Sequence, residues 1–127
     1  MTNIIGKSES MKVRIEVELD IFSGMPNPKW ILTNDEVDIF MKKLGTVSRI
    51  SATRLSGNLG YRGFIVKVTQ GSKKQLIHIQ TGIVQISMGI TKDYAKDNDR
   101  DLERWLLTTG RPYIKNELFQ DIEVTFR

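Results

Sequence analysis

The chain has 127 residues, 39% of them hydrophobic, a net charge of +4 and no cysteine. That length suits one domain with one core. The lack of cysteine excludes disulfides, thiolate metal sites and a cysteine nucleophile, and it fits a reducing, cytoplasmic setting. No apolar run approaches the roughly 18 residues of a membrane span, so the expectation includes no membrane partner.

In chain order, residues 1–10 lack periodicity and read as a flexible tail before a single α+β domain over 11–127. Val13, Ile15, Val17, Leu19 and Ile21 alternate with Arg14, Glu16, Glu18 and Asp20. Period 2 predicts a strand with one wet face in an antiparallel sheet. Phe22-Ser23-Gly24-Met25-Pro26-Asn27-Pro28-Lys29-Trp30 follows. Its two prolines impose extended geometry on Met25 and Asn27, and Gly24 permits a sharp exit from the strand. The segment reads either as a rigid connection with a core tryptophan or as a preformed ledge on which Met25, Asn27 and Trp30 meet a partner. Thr33 and Glu36 make a capping-box pattern, Val37, Phe40, Met41 and Leu44 follow at helical spacing, and Gly45 is a natural stop.

Residues 46–60 are rich in Ser, Thr and Gly and predict a long connection. Phe64, Val66 and Val68 predict a second strand, Gly71-Ser72 a turn, and Leu76 to Gln80 and Ile83 to Met88 two more strands. Between the last two the apolar positions change parity, which a tight turn or a bulge at Gly82 would explain. Asp97, Asp99 and Asp101 precede a helix carrying Leu102, Trp105 and Leu106 and stopped by Gly110. Ile122, Val124 and Phe126 alternate and predict a final strand. The expected fold is α+β, a mostly antiparallel sheet with two helices on one face. Its order becomes ferredoxin-like if the middle pair is one bulged strand.

Charge is unevenly placed. Residues 39–92 hold nine basic and no acidic side chains, while 1–38 hold four basic and seven acidic. Clustered cations attract anionic partners. Arg49, Arg54, Arg62, Lys67, Lys73 and Lys74 are the candidate contacts. Lys67, Lys73 and Lys74 form the expected nucleus of the patch, and the loop arginines are its mobile arms.

Catalytic chemistry is sparse. His78 is the single histidine and reads as a solvent-facing or hydrogen-bonded strand residue. Asp97-x-Asp99-x-Asp101 lacks the glycine and the glutamate of a calcium loop, so capping is the better reading. Glu16, Glu18 and Asp20 share a strand face and could serve as paired acids, yet such a row is more often a solvated face. No catalytic residue, metal or cofactor is assigned. Two fragments are similar to RNA-binding motifs. Gly57-Asn58-Leu59-Gly60 fits the GxxG of a KH loop, though a strand follows it. Arg62-Gly63-Phe64 opens like the octamer of an RNA recognition motif, which Ile65 and Val66 then break.

The run Ser23-Gly24-Met25-Pro26-Asn27-Pro28-Lys29-Trp30, with the later Leu59-Gly60-Tyr61-Arg62-Gly63-Phe64, resembles a group of small uncharacterised proteins. In that group an opening strand runs into Ser-Gly-x-x-Asn-Pro-x-Trp. The group has no established activity. The resemblance implies that the two segments meet in space, and it implies no function.

The functional expectation is a non-catalytic binding module, an accessory or adaptor protein for a protein or extended, acidic peptide partner. A nucleic-acid-binding domain using 39–92 is the alternative, and a carboxylate-only enzyme is a third.

Overall fold

The computed structural model describes residues 12–22, 24–57 and 60–126. The expected tail over 1–10 and the middle of the Gly57–Gly60 motif lie outside these. Strands β1 (Val13–Leu19), β2 (Lys29–Ile31), β3 (Ser48–Ile50), β4 (Phe64–Gln70), β5 (Lys73–Gln80), β6 (Ile83–Met88) and β7 (Thr91–Lys96) form one sheet. Its order is β2-β1-β4-β5-β6-β7-β3, and every neighbouring pair is antiparallel. Helices α1 (Asn34–Leu44), α2 (Asp101–Thr109) and α3 (Asn116–Val124) accompany it.

The alternation of β1 does what its pattern requires. Ile15, Val17 and Leu19 are fully buried, and they share a core with Phe64, Val66, Ile77, Ile79 and Val84 from the sheet. Phe40 of α1, Leu102 and Leu106 of α2, and Phe119 and Ile122 of α3 complete that core. All three helices therefore cover one face. Helix α1 starts at the expected capping box: Thr33 accepts from Glu36 N, and the Glu36 carboxylate accepts from Thr33 N at 2.9 Å.

The ferredoxin-like order does not occur. Thr81 and Gly82 both have positive φ, 48° and 80°, and Gln80 pairs with Ile83. The parity change is thus a two-residue hairpin turn of the type whose two central residues both need positive φ, not a bulge within one strand. Strands β4 to β7 consequently run as a meander with no parallel crossover. The expected final strand is also a helix. Phe119, Ile122 and Phe126 are buried at helical spacing, while Val124 is 55% exposed.

One buried network fastens the hairpin to α2. Glu103 has no exposed surface. Its carboxylate accepts from Thr81 N at 3.0 Å, Gly82 N at 2.8 Å, and Arg100 Nε and Nη2 at 3.0 and 2.9 Å. The Tyr61 hydroxyl donates to the same carboxylate. Burial, and then the Glu103 charge, push the Tyr61 hydroxyl well above its ordinary range. Asp97 caps α2, accepting from Leu102 N and Glu103 N, both at 2.9 Å. Burial raises its carboxyl above the usual value against the pull of those two bonds.

Candidate functional site

The uncovered face of the sheet follows from register. Side chains opposite the core on neighbouring strands form rows. One row reads Ile31, Glu16, Lys67, Leu76, Ser87, Lys92. The next reads Lys29, Glu18, Ile65, His78, Gln85, Tyr94, Ile50. Arg14, Thr69 and Lys74 form a third toward the β4–β5 turn. Counting Lys96, which pairs with Ile83, this face carries six cations against Glu16 and Glu18. The imbalance makes it the anion-attracting side of the molecule.

A groove of about 420 Å³ lies on this face near the β4–β5 and β6–β7 turns. Lys67, Thr69, Lys74, Leu76, Ser87 and Gly89 line it. Leu76 is 43% exposed, which leaves an apolar floor open to a ligand between two lysines. Lys67 stands 3.9 Å from Glu16, a long contact between half-exposed groups that constrains it little. Lys74 has no acidic partner within 4.0 Å among the described residues.

The other candidates are distributed differently. Lys73 is exposed but lies on the opposite side of the hairpin from Lys74, since β5 alternates. Arg49 is 3.4 Å from Asp93 on the surface. Arg54 is exposed on the 51–63 connection. Arg62, a candidate contact, is tied down within the protein. It is half-buried, donates to Asp20 Oδ1 at 2.9 Å and to the Phe22 carbonyl at 3.1 Å, and pins the end of β1. Trp30 is 3% exposed, donates from Nε1 to Thr109 Oγ1 at 2.9 Å and stacks on Tyr113, so the core reading of this tryptophan applies. Asn27 closes its loop, accepting from Ile21 N and Phe22 N and donating to Glu18. Met25 is 58% exposed and borders a separate, smaller hollow with Pro26, Tyr113 and Leu118. The two motif segments meet at one pair, Trp30 packing edge-on against Phe64, while Arg62 N and Gly63 O bond to Asp20, just ahead of the first segment.

His78 Nε2 lies 2.9 Å from the Arg62 carbonyl oxygen, which can only accept, so that nitrogen carries the proton. Glu16, Glu18 and Asp20 each have a neighbour of their own in Lys67, Lys29 with Asn27, and Arg62. Among the described residues no three metal-ligating side chains cluster. Leu76, Ser87, Lys92 and Lys96 escaped the sequence reading. The parity of β5 could have marked Leu76, but β7 offered no alternation to read.

No protein-family model matches the chain, and no curated protein matches it. Among solved structures, one described as a putative lipoprotein from Clostridium perfringens is similar in fold. The TM-score is 0.55 with 16% identity, over 81% of this chain and 84% of that one. At that identity the likeness shows the fold alone.

Proposed function

We propose that the chain is a non-catalytic binding module, an accessory or adaptor protein that takes an acidic protein segment in extended form on its uncovered sheet face. The observation that carries this reading is the groove in which Leu76 lies exposed between Lys67 and Lys74. Lys74, Leu76 and His78 project from β5 at alternate positions. Their spacing of about 6.7 Å is that of alternate side chains on an extended ligand, so acidic and apolar residues two apart meet lysine and leucine together. Apolar contact with Leu76 would supply affinity, and the lysines would steer approach.

The nucleic-acid reading loses support from the aromatic residues. Phe64 is fully buried, and Tyr61 gives its hydroxyl to Glu103 on the helix side. Neither is placed to stack a base on the basic face, whose rows hold one Phe, Tyr or Trp ring, that of Tyr94, half-buried and accepting from Gln85, where single-strand binders use several. To test the proposal, a display library of linear peptides is panned against the protein. Selected peptides rich in Asp and Glu, which lose affinity for a Lys67→Glu, Lys74→Glu variant, support it. Peptides with no acidic bias, or displacement of the selected peptides by single-stranded DNA at equal concentration, would overturn it.

A further inference from the structure

The β6–β7 turn carries a residue that its position does not call for. Gly89 has φ of +62° and Ile90 is not left-handed, which is the hairpin turn with glycine at its first central position. The second position usually takes a small polar residue. Here it is Ile90, whose side chain is completely exposed, and Met88 beside it is 51% exposed. An apolar pair at a convex tip adds nothing to the core.

The surroundings of this tip are basic. Gln70 pairs with Lys73, Val13 with Gln70, and Leu76 with Ser87, so the β4–β5 turn, the β6–β7 turn and the start of β1 lie at one end of the sheet. Lys12, Arg14, Lys73, Lys74 and Lys92 are exposed there. The acids nearby are Asp93, held by Arg49, and Asp38 of α1, which shares a hollow with Lys12.

We propose that this end of the sheet docks on an anionic lipid surface, with Ile90 and Met88 entering the headgroup layer and the surrounding lysines meeting the lipid charge. A convex apolar tip has no groove to offer a peptide, but it suits a surface that it can penetrate. Exposed apolar residues ringed by cations bind anionic bilayers by apolar burial and electrostatic attraction together. The docking end adjoins the peptide groove, with Lys74 and Gly89 at their border, but Ile90, Lys73 and Lys92 do not line that groove.

The full chain is sedimented with vesicles of phosphatidylcholine alone and of phosphatidylcholine with phosphatidylglycerol. Co-sedimentation with the anionic vesicles only is expected. Ile90→Asp, and separately Lys73→Glu with Lys92→Glu, should each weaken it roughly tenfold or more. In Ile90→Trp the fluorescence should shift to the blue on those vesicles. No sedimentation with anionic vesicles, equal binding to neutral ones, or an unshifted Ile90→Trp spectrum overturns the proposal. So does release from the vesicles by soluble polyglutamate with binding unchanged in Ile90→Asp, an outcome that would assign this end to acidic peptides instead. Peptide affinity measured on Ile90→Ser, which adds no charge beside Gly89 and Lys74, stays at the wild-type value while anionic-vesicle binding falls, which keeps the two proposals distinguishable.

Discussion

The indole of Trp30 fills the space that a side chain at Gly110 would need. A Cβ at Gly110 would meet the six-membered ring of Trp30 and come within 2.9 Å of Ile114 Cδ1. The tryptophan therefore joins β2 to the end of α2. It stacks on Tyr113 at 6.1 Å and sets its edge on Phe64 at 6.3 Å. Trp30→Ala is expected to cost about 3–5 kcal/mol in urea unfolding, the range for a large aromatic lost from a core. Peptide affinity of the folded fraction should not change. A loss of affinity with little loss of stability would return Trp30 to the role of a binding anchor.

Glu103 is the second structural hub. Replacing it with Gln removes the counter-charge of Arg100 and turns an amide donor toward backbone N–H groups that already donate. Removing one partner of a buried ion pair costs about 3–5 kcal/mol. Arg100 keeps the Thr125 carbonyl and the Phe126 ring, and its side chain is 20% exposed, so the lower end, ~3 kcal/mol, is expected. Hydrogen exchange should also loosen first at Thr81 or Gly82, whichever amide faces the new NH2 group and loses its acceptor, since the two donate to different carboxylate oxygens. An unchanged midpoint would show that the network is replaceable.

Tyr61 makes stability depend on alkaline pH. Its folded-state value lies above the ordinary one near 10. Below about pH 10 neither state is ionised and the contribution is complete. Above it the unfolded chain releases a proton that the folded chain keeps, so stability falls as pH rises, by up to about 1.4 kcal/mol per unit. Tyr61→Phe starts from a lower stability, having lost the bond to Glu103, but it should decline less steeply. Parallel slopes for the two proteins between pH 10 and 11 would contradict this.

How far the sequence could be read depended on whether a residue's neighbours were local. Strand β1, α1 and the turn at Gly82 were legible, because alternation, a capping box and a parity change are properties of adjacent residues. Helix α3 was misread as a strand. Ile122, Val124 and Phe126 alternate, but Phe119 and Ile122 are the pair that packs. Strands β2 and β3 have three residues each and exist only through β1 and β7. In β7 only Ala95 is buried, so no pattern announces it. The same limit applies to the site. Lys67 and Lys74 could be placed on one face from strand parity. The ties of Arg62 to Asp20 and Arg49 to Asp93 could not, since those partners stand 42 and 44 residues away in the chain.

The groove gives the sharpest test of the electrostatic argument. Lys67 and Lys74 project from adjacent strands toward the same open floor, and both are exposed. Reversing both to Glu should leave stability within about 0.5 kcal/mol of wild type, because neither side chain supports the core. A small further loss is expected from Lys67→Glu, which sets a carboxylate against Glu16, the group that Lys67 now faces at 3.9 Å. Affinity for an acidic peptide should fall by tenfold or more, in line with roughly 1 kcal/mol for each attraction turned to repulsion. The remaining binding should also lose most of its salt dependence, since screening acts on charge pairs and not on contact with Leu76. Leu76→Ser should behave in the opposite way, lowering affinity while keeping the salt slope. If the double reversal leaves both affinity and slope unchanged, the cations of this face serve solvation and not recognition.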